Sequence, residues 1–193
     1  MFAIMQTLKP ETREKIIRVS GKFFYMHGFE SATMRQIAEQ TGMTVSNLYK
    51  YFKNKESIFD EIIRPYHAEF KKGFETLLGH ESKAEFGEEQ IAGLKEALFH
   101  SVEKDRIGFV LLMDGSGGTK YGKFKATVID MLAEHMRGEQ RADKADPFAF
   151  HLFASNLVNN TIEAARNYKD TAWARETIGK IVDYHMNGMK AVM

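Results

Sequence analysis

The chain has 193 residues, 44% of them hydrophobic, and a formal net charge of +1, so it is long enough to bury a sizeable core in one or two domains. It has no cysteine, which excludes disulfides, zinc fingers and thiol nucleophiles and fits a reducing compartment. The opening MFAIMQTL is too short for a secretory h-region and no apolar run reaches membrane-spanning length, so a cytoplasmic location with no membrane partner is expected.

Period-two alternation of β-branched residues is scarce and the only prolines are Pro10, Pro65 and Pro147, which predicts an all-α fold. A first helix is expected from Glu11 to His27, with Ile16, Ile17, Ser20, Phe23 and Phe24 on one face and Gly28 just past its end. The next stretch, Thr33 to Phe52, reads as two short helices hinged at Gly42. Thr33 is a good N-cap for the first of these, which turns Ile37 and Ala38 inward at helical spacing. Gly42 accepts the left-handed backbone of a tight turn, and Thr44 then caps the second. On that helix Val45, Leu48 and Phe52 recur at spacings of three and four, with Val45 alternatively at the exposed N-terminus. The other face carries Ser46, Asn47, Tyr49, Lys50 and Tyr51, side chains that reach phosphates and base edges.

A fourth helix, capped by Asn54, runs through Ile58, Phe59, Ile62 and Ile63 toward Leu77 and Leu78, with Pro65 as a candidate kink. Gly79 to Glu89 reads as a connector, followed by a helix through Ile91, Leu94, Leu98, Phe99 and Val102. The apolar run Ile107 to Met113 stops at Asp114–Gly118, and a helix follows over roughly Tyr121 to Met136. Gly138 to Asp146 is a polar loop. Asp146–Pro147 starts a helix over Phe148 to Tyr168, and a last one spans Trp173 to Val192. Charge is uneven along this layout: residues 1–65 carry ten Lys/Arg against seven Asp/Glu, and residues 66–193 seventeen against nineteen. The basic excess sits with the helix-turn-helix, as an electrostatic footprint for nucleic acid does.

From Ile16 to Ile63 the chain resembles the TetR (tetracycline repressor) family of bacterial transcription regulators. The resemblance is carried by Phe23–Phe24, His27–Gly28–Phe29, Ala32–Thr33, Ile37–Ala38, Gly42, Leu48–Tyr49–Lys50–Tyr51–Phe52 and Lys55–Glu56. It implies an all-helical homodimer: a three-helix DNA-binding domain over residues 1–52, a helix over 53–78 that connects, and an effector-binding and dimerisation domain over 53–193. By position it implies phosphate contacts from Thr33, Tyr49, Tyr51 and Lys55, with Thr44, Val45, Ser46, Asn47 and Lys50 lining the groove-facing helix; Arg35 completes the DNA-binding set. Val45 and Ser46 depart from the family pattern, where a polar or basic residue and a glycine are frequent. The side chains agree with those roles. Asn47 suits a bidentate bond to adenine, Lys50 donates to guanine and Val45 suits a thymine methyl, whereas Tyr49 and Tyr51 fit either phosphate contacts or half-buried spacers.

In the C-terminal part, Ile178, Ile181, Val182, His185 and Met189 form one stripe, and Leu157, Val158, Thr161, Ala164 and Ala165 another. They are expected to form the dimer interface, as a four-helix bundle with the same two helices of a second copy; the alternative is packing within one chain. Polar groups in apolar faces mark pocket candidates: His100, Asp114, Asn156, Asn159, Asn160 and Glu163, near Phe99, Met113, Tyr121 and Phe148. Each fits equally a packing role. Fifteen phenylalanines and eleven methionines point to an apolar or aromatic effector, although both residues also fill cores.

No catalytic or metal constellation is expected. Gly115 to Lys120 lacks phosphate-loop spacing, the histidines show no H-E-x-x-H pair, and Ser155 with His151 lacks a nucleophile elbow. The expected function is therefore a DNA-binding regulator without a cofactor, acting on an inverted-repeat operator in double-stranded DNA. A repressor released by a small-molecule effector is the leading form. An activator or a constitutive binder is the alternative, and an enzyme using Glu163 and a histidine is the remote one.

Overall fold

The computed structural model describes residues 9–79, 88–138 and 146–192, and within them only helices and turns occur. In chain order these are α1 (Pro10–His27), α2 (Met34–Thr41), α3 (Val45–Tyr51), α4 (Lys55–Gly79), α5 (Glu88–Lys104), α6 (Arg106–Met113), α7 (Phe124–Arg137), α8 (Pro147–Arg166) and α9 (Thr171–Val192). Most of the expected connector after Gly79 and of the polar loop after Gly138 lies outside the described residues.

The boundaries follow local chemistry. Asp146 accepts from the Phe148 amide at 2.9 Å and Pro147 occupies the first helical position of α8. Asn54 caps α4 by accepting from the Ser57 amide at 2.9 Å, while the Ser57 hydroxyl donates back to the Asn54 carbonyl at 2.7 Å. α4 is a continuous helix through Pro65, which lies exposed.

α7 begins three residues later than its apolar spacing predicts. The Thr119 hydroxyl donates to the Ser116 carbonyl at 2.7 Å and accepts from the Tyr121 amide at 3.0 Å, so hydroxyl bonds hold residues 116–123 in turns.

α6 is the hub. Gly108 to Met113 are all buried, and the helix packs against α1, α4, α5, α7 and α8. Gly108 has to be glycine: an added Cβ would lie 2.5 Å from the Asp105 carboxylate, which caps α6, and 3.1 Å from the Tyr66 ring. The buried apolar side chains form one cluster from Ile16 in α1 to Met189 in α9. The N-terminal head is thus not closed by its first three helices, because Ile58, Phe59 and Ile63 of α4 share its core and α6 lies against α1.

The apolar stripes of α8 and α9 are covered within the chain. Leu157 and Ala165 on α8, and Ile178 and Val182 on α9, are at most 1% exposed, and Ile181 is half-buried. α9 packs on α5 and α8, while α8 also packs on α7. Of the two readings open to these stripes, intrachain packing is the one the fold uses.

Candidate nucleic-acid interface

The interface is built on an aromatic cluster. Phe24 of α1, Phe29 of the following turn and Phe59 of α4 meet edge-on or tilted, with ring centroids 5.0–5.8 Å apart. Ile37, Ala38, Leu48 and Phe52 are buried in the same core, which fixes α2 and α3 against it.

Thr33 closes a capping box on α2: its hydroxyl accepts from the Gln36 amide at 3.3 Å, and the Thr33 amide donates to the Gln36 side chain at 2.9 Å. Gly42 then takes φ 70° and ψ 31°, left-handed values at which a side chain would be strained. Thr44 restarts the chain as the α3 cap, accepting from the Asn47 amide at 3.2 Å.

With Leu48 fully buried, helical geometry turns the rest of α3 outward. Val45, Ser46, Asn47, Tyr49 and Lys50 are all exposed, Tyr49 by 51%, and Tyr51 is half-buried at the end of the helix. Val45 therefore stands at the exposed N-terminus and is not a core residue. Thr33 and Thr44 are exposed at the helix caps, and Arg35 is exposed in the first turn of α2.

Two basic residues hold this surface from behind. Lys55 points its ammonium into the α1–α2 turn, donating to the carbonyls of Phe29, Glu30 and Ala32 at 2.9, 3.1 and 3.0 Å, and lies 4.4 Å from the Phe29 ring centroid. An ammonium has three donors, and these carbonyls use all of them. Lys55, expected on a phosphate, is thus tied to the backbone of its own chain. Arg13 was not singled out by the sequence, yet its guanidinium pairs with Glu61, donates to the Tyr51 carbonyl at 3.2 Å and stacks 4.3 Å over Phe52. It locks the end of α3 to α1 and α4.

The head meets the body at the loop between α6 and α7. Tyr121 donates to the Asp60 carboxylate at 2.7 Å and Lys120 pairs with the same group at 2.5 Å. Hydrogen bonds from Lys120 and Tyr121 hold the Asp60 carboxyl below its ordinary range. The Phe29 amide reaches the Gly115 carbonyl at 3.4 Å, so this loop touches both α4 and the turn before α2.

The residues expected to line an effector pocket are not gathered together. Phe99, Met113 and Tyr121 are buried, whereas Asn156, Asn159 and Glu163 are exposed on α8, with Asn159 donating to Ser155 at 3.2 Å. Asp114, another candidate, takes ion pairs from Arg166 and Lys125 and joins α6 to α8 and α7. A cleft of about 150 Å³ instead opens between α4 and α5, with Phe70, Phe74 and Leu98 in its walls and His100 at its edge.

A capped, glycine-hinged helix pair that shows polar and basic side chains on a buried anchor has the geometry of a helix-turn-helix, a class of DNA-binding motif. The family model for bacterial regulatory proteins of the tetR family matches residues 16–62, from α1 into α4. The chain is 27% identical over 142 residues to YdgC, an uncharacterized HTH-type transcriptional regulator of Bacillus subtilis (strain 168), covering 71% of this chain and 70% of YdgC. It is 26% identical over 102 residues to the HTH-type transcriptional repressor KstR2 of Mycolicibacterium smegmatis, 53% of this chain and 48% of that one. The structure of the ketosteroid transcriptional regulator KstR2 of Mycobacterium tuberculosis shares the fold, with a TM-score of 0.65 at 15% identity over 94% of this chain and 96% of that chain. Residues 16–62 thus match the tetR family of bacterial regulatory proteins, and the two relatives named are HTH-type transcriptional regulators.

Proposed function

We propose that the chain is a homodimeric repressor that occludes its operator and leaves it when a small molecule binds the body. The observation that carries this is the double membership of α4. Its first turns complete the core of the DNA-binding head through Ile58, Phe59 and Ile63, and its later turns form one wall of the α4–α5 cleft through Phe70 and Phe74. An occupant of that cleft acts on the helix that carries the head. Release follows only if it favours one head position over the other, by a few kcal/mol for a useful switch.

In this reading the exposed face of α3 enters the major groove. Asn47 and Lys50 read base edges, Val45 meets a thymine methyl, and Tyr49, Tyr51, Thr33 and Arg35 set register on phosphates. Dimerisation uses the outer sides of α8 and α9, where Phe148, Leu152 and Tyr184 are exposed by 61, 47 and 74%. Asn156, Asn159 and Glu163 lie exposed on α8 and supply polar contacts to that interface in preference to a pocket. The repressor named KstR2 among the relatives supports the choice of repressor over activator.

Selection of genomic fragments by the purified protein, followed by a compound screen for release, tests the proposal. An inverted-repeat site released by a compound supports it. A site from which no compound displaces the protein makes it a constitutive binder.

A further inference from the structure

We infer that the α4–α5 cleft is a binding site for an uncharged, single-ring aromatic compound. The inference rests on the effector-released reading above and names the class of ligand that site takes. The cleft measures about 150 Å³, and an apolar cavity of about that volume holds a benzene-sized ring. One wall is a stacked pair, Phe70 and Phe74, with centroids 5.7 Å apart and planes 18° from parallel. Phe70 is braced from behind by Phe124, edge-on at 5.8 Å, so the wall is preformed.

The polar rim sets the charge of the occupant. Glu69 of α4 and Lys104 of α5 pair with each other across the cleft, so the rim is charge-balanced and offers no net attraction to a carboxylate or an ammonium. A charged ligand would lose hydration without gaining an unopposed partner, whereas a neutral ring loses little. A second tie crosses the cleft beside the pair: the Tyr66 hydroxyl donates to the Ser101 carbonyl at 2.7 Å. A ring entering here presses on both ties between α4 and α5.

Gly73 makes the site testable. It lines the cleft from the middle of α4, and an added Cβ there meets nothing within 4 Å. Leucine at this position fills the space and favours helix over glycine, so Gly73→Leu is expected to keep its helical content. Ala97→Leu narrows the cleft from α5 and is the second variant.

Titration calorimetry of the full chain with phenol, benzoate and benzylamine reads the outcome. Phenol should bind saturably, benzoate and benzylamine about tenfold more weakly or worse, and folded Gly73→Leu and Ala97→Leu should bind no phenol. Glu69→Gln, which leaves Lys104 unopposed, should shift the preference toward benzoate. No phenol binding to the parent, equal binding of the charged probes, or phenol binding that survives both filling variants would overturn the inference. Phenol binding that both variants abolish, without release of operator from the parent, would leave the site in place and remove the effector-released reading instead.

Discussion

Lys55, expected on a phosphate, also holds the backbone of its own chain. Its ammonium is the shared partner of the Phe29, Glu30 and Ala32 carbonyls, which belong to the turn that aims α2. Removing it leaves part-buried carbonyls without their donor, and Lys55→Met should cost about 1–3 kcal/mol of stability in denaturant unfolding. The dependence of DNA affinity on salt should keep its parental slope. A slope flattened by about 0.9 with unchanged stability would place Lys55 among the phosphate contacts after all. Thr33 and Thr44 combine two duties differently, since their hydroxyls cap helices while remaining exposed. Gly42 serves backbone geometry alone, through its φ of 70°.

Between elements, two junctions matter. The loop from Gly115 to Tyr121 ties the body to α4 through Asp60, whose carboxyl is held below the ordinary aspartate value of 3.8 by hydrogen bonds from Lys120 and Tyr121. A depressed carboxylate contributes stability that is fully present above the unfolded value and is lost as pH falls through the folded one. Asp60→Asn should therefore be less stable than the parent at pH 7, and the gap should close as acid protonates the parent's Asp60. Urea unfolding of both proteins across that range checks the sign, and a gap that persists in acid would make the tie non-ionic. The second junction is the outer side of α8 and α9. Charging it as the pair Leu152→Asp and Tyr184→Asp should give folded monomers that bind DNA far more weakly, because two exposed apolar residues are replaced without disturbing the core. Sedimentation velocity decides this, and a double variant that stays dimeric puts the interface elsewhere. The same charge at Val182, which is fully buried, should unfold the chain instead.

Taken as a molecule, the chain suspends α3, the proposed DNA-reading helix, from a body that shares α4 with it. The reading helix was legible in the sequence because its determinants are local: Thr33, Gly42, Thr44 and Leu48 act on neighbours within one turn. The clamps behind it were not, since Lys55 and Arg13 find partners 23 to 48 residues away in the chain. Helical spacing likewise placed Leu157, Ile178 and Val182 on apolar faces without saying whether their own chain or a second copy covers them. The late start of α7 escaped because the Ser116 and Thr119 hydroxyls outcompete helix formation at Tyr121. Asn156, Asn159 and Glu163 stood out as polar groups beside apolar ones, yet the helix turns them to the surface. The α4–α5 cleft left little trace, because its walls are ordinary core phenylalanines until the two helices are set side by side.

The central claim, that α3 reads DNA, is tested most directly by footprinting a selected genomic site with the parent and with Asn47→Ala. The account predicts protection of an inverted repeat whose half-sites lie about 34–36 Å apart or a multiple of that. It also predicts that Asn47→Ala loses about 1–3 kcal/mol on the preferred sequence and much less when one base pair per half-site is changed. Protection of a single asymmetric site, or an equal loss on every sequence, would contradict it.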